Sequence, residues 1–205
     1  VKNFLCYIIV MEQEKHEEKA QEKTRGQSFW ELVRFALIAL VIVIPIRILV
    51  AEPFIVSGSS MVPTFENGDY LIIDKISYEL GSPQRGDVVI FRFPGDPTKF
   101  FIKRIIGLPN ETVDIKGNEV VITNKENKQG FKLEQPFVKN PANNKDTHFE
   151  LKSDEYFVMG DNRSASSDSR YWGAVKKNLL QGRAFLRLLP IDKIDILPGN
   201  YKQTE

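Results

Sequence analysis

Cysteine occurs once in the 205 residues, as Cys6, so no disulfide can form within the chain. Histidine occurs twice. His16 sits in a charged run with Glu12, Glu14, Lys15, Glu17, Glu18 and Lys19, and His148 follows the polar stretch Pro141-Ala142-Asn143-Asn144-Lys145. Neither neighbourhood resembles a catalytic pocket, which speaks against a Ser-His-Asp triad and against a histidine-rich zinc site. A serine enzyme built from this chain needs another base. The formal net charge is +1, so no strong field points to nucleic acid, and no nucleic-acid partner is expected. No internal repeat is visible. The length suits one globular domain with an appendage.

The N-terminal part is uneven in character. Residues Val1 to Val10 are apolar and give way at Met11 to a charged run. We expect Met11 to be the initiator and residues 1–10 to come from a start codon chosen too far upstream; peptides covering them in the native protein would overturn this. Residues 11–25 are rich in Glu, Lys and Gln and read as a solvated tail or frayed helix, and the tail as a whole is assigned to 1–28. The apolar stretch from Leu32 to Ala51 then runs for 20 residues, interrupted by Arg34 and Arg47 near its ends. At ~1.5 Å per residue that is ~30 Å of helix, enough to cross a bilayer. The two arginines can snorkel to the headgroups, Trp30 can anchor at the interface, and Pro45 is tolerated in membrane helices. A buried soluble helix fits the flanking arginines less well, and a cleaved signal peptide would want a smaller residue than Leu49 before the cut. We therefore expect one transmembrane anchor over 29–51. Lys and Arg cluster before it and none follows Arg47 until Lys75, which places the tail in the cytoplasm and the rest outside.

Beyond the anchor the pattern is that of strands. Tyr70–Ile73, Asp87–Phe93 and Phe100–Ile106 are short runs rich in β-branched and aromatic residues. Thr112–Ile115 and Glu119–Ile122 flank a Lys116-Gly117-Asn118 turn and predict a hairpin. No long amphipathic helix is expected after the anchor. Residues 123–152 are polar, with little sheet signal, and read as a short inserted cap. Gly182 to Ile196 reads as a returning strand and closing segment, with Pro198-Gly199 ending the domain assigned to 52–198 and 199–205 left as a tail. The expected fold is mainly β, an antiparallel sheet.

Three segments can carry chemistry. In Val56-Ser57-Gly58-Ser59-Ser60-Met61-Val62-Pro63-Thr64, a tight turn leads into a proline-fixed backbone. Such a run can be only a turn. It also exposes the Ser60 hydroxyl beside N–H groups able to bind an oxyanion, with Gly58 permitting close approach and Phe54, Val56 and Met61 able to line a shallow pocket. Lys103 stands in the apolar run Phe100-Phe101-Ile102-Lys103-Arg104-Ile105-Ile106. It either faces solvent on the polar side of the sheet or is buried. Burial would disfavour its ammonium; a drop in pKa from ~10.4 to about 8 corresponds to roughly 3 kcal/mol, and the neutral amine could then accept a serine proton. The third segment runs from Gly160 to Gly173. Its hydroxyls could orient a lysine amine, and Asp168 and Arg170 could hold the loop as a charge-assisted pair.

Taken in order, these segments resemble the type I signal peptidases, membrane-bound serine proteases with a Ser-Lys dyad. The family's serine-methionine-x-proline-threonine motif matches Ser60-Met61-Val62-Pro63-Thr64. Its Gly-Asp-Val-Val-x-Phe strand matches Gly86 to Phe91, and its lysine motif matches Phe101-Ile102-Lys103-Arg104. Its last motif matches Gly160-Asp161-Asn162-Arg163 with Ser166, Asp168, Ser169 and Arg170. The likeness covers the anchor and nearly all of 51–198, and the short cap resembles the smaller bacterial enzymes. It implies that Ser60 is the nucleophile, Lys103 the general base and Ser166 the hydroxyl that holds the lysine amine. The Ser60 N–H would serve the oxyanion. Some members add a serine hydroxyl two residues before the nucleophile; Gly58 stands there, so that donor is absent or replaced by a backbone group. Where members often carry Asp-Asn after Gly-Asp-Asn-Arg, this chain has Ser164-Ala165, so an ion pair made by that aspartate is missing. The implied pocket walls are Phe54, Val56, Met61, Phe65, Phe101 and Ile102, suited to small side chains at the first and third positions before the cut. The resemblance implies signal peptides of exported pre-proteins as substrate, membrane lipid and an encounter with the export channel as partners, a plasma-membrane location, and no metal or cofactor. Two other readings keep part of the pattern: a self-cleaving protein of the LexA type, which would carry a DNA-binding helix-turn-helix where this chain has its apolar run, and a membrane-anchored β-domain that binds peptides without cutting them.

Overall fold

The computed structural model describes residues 29–44, 51–142 and 144–201. Expectations for the tail at 1–28 and for positions 45–50 of the anchor lie outside the described residues. Residues 29–44 form a helix, α1, with apolar side chains exposed, Phe35 and Val41 among them. No helix among the described residues is long and apolar enough to cross a membrane. The chain divides into two compact units, Val1–Ile48 and Leu49–Glu205.

The larger unit is built on two antiparallel sheets. The first takes β1 (Ala51–Ile55), β2 (Tyr70–Asp74), β3 (Val88–Phe93), β4 (Asp96–Gly107), β9 (Glu155–Met159), β10 (Val175–Lys176), β11 (Leu180–Leu189) and β12 (Asp195–Ile196). Their order is β1-β2-β11-β3-β4-β9-β10, with β12 on β11. Ala51, assigned above to the anchor, already pairs with Asp74 in β1. The second sheet takes β5 (Thr112–Gly117), β6 (Glu119–Thr123), β7 (Phe131–Lys132) and β8 (Asn144–Glu150), in the order β7-β6-β5-β8. The predicted hairpin is there, with Lys116 opposite Glu119. Among the described residues after α1, helices are confined to α2 (Ile76–Leu80), α3 (Ser169–Trp172) and short 3-10 turns.

The polar stretch at 123–152 departs from expectation. Expected to carry little sheet, it holds β7 and β8: β8 lies beside β5, with Asp114 opposite His148 and Thr112 opposite Glu150. Asp146, His148 and Glu150 are exposed while Thr147 and Phe149 are half-buried, so only one face of β8 packs, and the strand carries few apolar residues. Burial alternates in the same way along β2 and β5, which sets their register.

Three apolar clusters fill the domain. One joins the second sheet to the first through Ile106, Val113, Ile115, Ile122, Phe157 and Met159. The other two lie on opposite faces of the first sheet. Val88 and Ile90 of β3 point into one, with Leu71, Ile73, Met61 and Phe65. Val89 and Phe91 point into the other, with Ile105, Tyr156 and Val158. β4 passes from exposure to burial along its own length: Pro97 to Phe100 are exposed, and Lys103 to Gly107 are buried. β9 pairs with β4 only from Arg104 to Gly107, so the earlier half of β4 has an open edge on that side.

Candidate active site

Ser60 lies in the turn after β1, which closes on itself. Val56 N–H donates to the Asp69 carbonyl and Gly68 N–H to that of Val56, both at 2.9 Å. Within the turn, Phe65 N–H donates to the Met61 carbonyl at 3.0 Å, and these two side chains are fully buried in one apolar cluster. The turn is also gripped from outside. Asn162 donates from its amide side chain to the Ser59 carbonyl and from its N–H to that of Ser60, each at 3.0 Å. The Ser60 N–H makes no hydrogen bond among the described residues and is available to an oxyanion.

Lys103 is 4 % exposed. Its Nζ stands 2.8 Å from Ser60 Oγ, donates to the Ile102 carbonyl at 2.9 Å and lies over the Phe101 ring. Burial is the main cause of a pKa lowered to about 8, against the opposing pull of the Asp168 and Asp161 carboxylates. Lys103 thus faces the serine rather than solvent.

The next residue, Arg104, turns to the other face of β4 and makes the deepest ion pair of the domain. Its Nε and Nη2 reach the two carboxylate oxygens of Asp161 at 2.8 and 2.6 Å, with both side chains at 0 % exposure. Its Nη1 donates to the carbonyls of Gly86 and Gly199. Thr64 Oγ1 donates to Asp161 Oδ2 at 2.5 Å. One carboxylate therefore joins the lysine strand, the serine turn and the loop after β9.

That loop is braced by an ion pair of its own. Arg170 donates to Asp168 from Nε at 2.7 Å and from Nη2 at 2.8 Å, and Asp168 also accepts from the Gly160 N–H. Ser166, the predicted lysine holder, is buried nearby, but its hydroxyl has no hydrogen-bond partner among the described residues, Lys103 included. Gly58 does not supply the second oxyanion donor, because it has no side chain and its N–H is taken up by Asn67 Oδ1 at 3.0 Å.

A cavity of about 490 Å³ opens beside the pair, lined by Phe54, Val56, Phe101 and Ile102, and also by Ile55, Ser57–Ser60, Leu71, Ile90, Lys99, Phe100, Lys103, Ala165 and Ser167. Met61 and Phe65 are corrections: they anchor the turn from within the core and do not line the cavity. Ile90 and Phe100 were missed, although both could be found from pairing, since Ile90 lies opposite Ile102 and Phe100 opposite Arg92. Among the described residues no group of His, Cys, Asp or Glu is arranged to hold a metal ion.

A serine with a free N–H, 2.8 Å from a buried lysine amine at the mouth of an apolar cavity, is the equipment of a hydrolase that needs no histidine. The sequence comparisons agree. Residues 29–189 match the family model described as signal peptidase, peptidase S26. A probable signal peptidase I-2 from Synechocystis sp. is 38 % identical over 195 residues, covering 92 % of this chain and 84 % of that protein. Signal peptidase I of Leptolyngbya laminosa is 36 % identical over 174 residues, covering 80 % and 82 %. Signal peptidase I P of Bacillus subtilis subsp. natto is 33 % identical over 188 residues, covering 85 % and 96 %. The chain belongs to the signal peptidase family, peptidase S26.

Proposed function

We propose that the protein is a type I signal peptidase, an endopeptidase that removes N-terminal signal peptides from exported pre-proteins, with Ser60 as nucleophile and neutral Lys103 as general base. The observation that carries the residue assignment is the 2.8 Å approach of Lys103 Nζ to Ser60 Oγ in an apolar setting. Lys103 takes the hydroxyl proton as Ser60 Oγ attacks the scissile carbonyl. The oxygen of the tetrahedral intermediate takes up negative charge facing the Ser60 N–H. The C–N bond breaks, the Lys103 ammonium returns the proton to the leaving amine, and a water, deprotonated by Lys103, hydrolyses the acyl-serine. Asp168 and Arg170 hold the loop over the lysine, and Ser166 lies within that loop.

The substrate fits as an extended strand between 55–59 on one side and the open edge of β4 on the other, the cavity's two long walls. The cavity walls at Phe54, Val56, Ile90 and Ile102 leave room for small side chains. A pre-protein with alanine at the first and third positions before the cut is expected to be cleaved by detergent-solubilised protein, and replacing either alanine by leucine is expected to lower kcat/KM by about a hundredfold or more. Equal cleavage of the alanine and leucine substrates would contradict the pocket assignment.

The same reading takes residues 29–50 as the membrane anchor, ending where β1 begins, supported by the exposed apolar side chains of α1 and by the arginines before and within the run. The tail would then be cytoplasmic and the peptidase domain outside the plasma membrane, with lipid around the anchor and the export channel as the place where substrate is met. Alkaline extraction of membranes should leave the protein in the pellet; its release to the supernatant would remove the anchor from the proposal.

A further inference from the structure

Residues 199–201, at the start of the segment expected to be a tail, fold back onto the rear of the site. Asn200 N–H donates to the Leu197 carbonyl at 3.0 Å, closing a turn. The Gly199 carbonyl accepts from Arg104 Nη1 at 2.5 Å. The Tyr201 ring packs edge-on against Phe137, 5.4 Å between centroids, and Phe137 in turn lies under the Arg104 guanidinium at 4.1 Å. Gly199 has φ +72°, and a Cβ placed on it would stand 2.5 Å from Cγ2 of Thr64 and 3.2 Å from Nη2 of Arg104.

Gly199 therefore touches two residues at once. Arg104 is the covalent neighbour of Lys103, and Thr64 closes the turn that Ser60 opens. The two already converge on a single oxygen, Asp161 Oδ2, at 2.6 and 2.5 Å. Arg104 is held on one side by this carboxylate and on the other by the carbonyls of Gly86 and Gly199. If segment 197–201 moves, the guanidinium loses one of these supports and the convergence with Thr64 loosens.

We infer that residues 197–201 form a clamp that sets the spacing between Ser60 and Lys103, with Gly199 as its positioning residue. The clamp rests on the Ser-Lys reading above. It matters because a misplacement of about 1 Å between reacting groups costs on the order of a hundredfold in rate.

Gly199→Ala adds one carbon against Thr64 Cγ2. Its kcat on an alanine-site pre-protein is expected to fall roughly tenfold to a hundredfold, with KM within about twofold of wild type. Adding Thr64→Ser removes that same Cγ2 while keeping the hydroxyl for Asp161, so the double variant should regain most of the lost kcat relative to Gly199→Ala. Backbone strain at a left-handed position would not be relieved by a change at residue 64, so recovery assigns the loss to the contact with Thr64 rather than to that strain, and the unchanged KM separates it from a general loss of folded protein. Tyr201→Ala frees the end of the clamp from Phe137 without adding an atom, and should lower kcat about threefold to tenfold at unchanged KM. A folded Gly199→Ala with wild-type kcat, a double variant with no recovery, or a Tyr201→Ala protein with wild-type kcat would each overturn the clamp. Should Gly199→Ala fail to fold, Tyr201→Ala decides alone. Ser60→Ala is run alongside: cleavage surviving in it would sink the Ser-Lys reading, whereas its loss together with an indifferent Tyr201→Ala would sink the clamp only.

Discussion

Lys103→Ala is expected to lower kcat by roughly a hundredfold to ten-thousandfold, the range for loss of a general base, and Ser60→Ala to remove cleavage altogether. What the lysine contributes is proton transfer rather than charge. Lys103→Arg keeps the charge and much of the length, but a guanidinium stays protonated and cannot accept the serine proton, so this variant should fall as far as the alanine. The double variant Ser60→Ala/Lys103→Ala should be no worse than Ser60→Ala, because the two groups act in one step. The pH profile is the companion measurement. Burial holds Lys103 near a pKa of about 8, below its ordinary value of 10.5, and the reaction needs the neutral amine. kcat/KM should therefore rise with pH through about 8 and level off above it, with the activity lost on the acid side where the ammonium dominates. A Lys103→Arg enzyme that still cleaves, or a profile that stays flat from about pH 6 to about pH 9, would contradict Lys103 as base.

Asp161→Ala is expected to destabilise the domain by about 3–5 kcal/mol, read from denaturant unfolding. The alanine leaves Arg104 charged, at 0 % exposure, with two of its hydrogen-bonding groups facing a void. Thr64 loses its acceptor in the same change. Replacing both members of the pair by apolar residues of similar volume, Arg104→Met with Asp161→Leu, should cost less than Asp161→Ala alone, since no buried charge is then left unpaired. A loss under about 1 kcal/mol for Asp161→Ala would mean that solvent reaches the arginine and that the pair does not join the three segments as described.

Much of this site could be read from the residues alone, and the misreadings have physical causes. Lys103 stood out because its neighbours are apolar, and burial of such a strand is what lowers an amine's pKa. Ser60 stood out because glycine and proline bracket a turn. The pocket walls were harder. Met61 lies next to the nucleophile, but the 61–65 turn, closed by the Phe65 N–H on the Met61 carbonyl, sends both Met61 and Phe65 into one apolar cluster of the core. The role of Arg104 was legible in principle, because a second cation on the alternate face of an apolar strand must find a carboxylate, yet nothing in spacing along the chain names Asp161. β8 was missed because its outward residues are charged and its inward face carries one aromatic, Phe149. Its strand character comes from pairing with β5, a contact between distant segments that local composition does not encode. The role of residues 197–201 was hidden for the same reason: glycine after proline looks like an ending, and here it is a close approach to an arginine side chain.

β4 sorts two cations by parity. Lys103 and Arg104 are adjacent, one turned to a serine that needs a base and the other to a carboxylate that needs a counterion. Sliding the strand by one position past β3 would put Arg104 where Lys103 stands and Ile105 where Arg104 stands, bringing a guanidinium that never deprotonates to the nucleophile and leaving Asp161 without its counterion. The Pro94-Gly95 connection between β3 and β4 therefore has its length constrained by chemistry at the far end of the strand. An insertion there that shifted the register by one residue would also turn the buried Ile105 and Ile106 to opposite faces, so the packing of the sheet and the base at the nucleophile would be lost together.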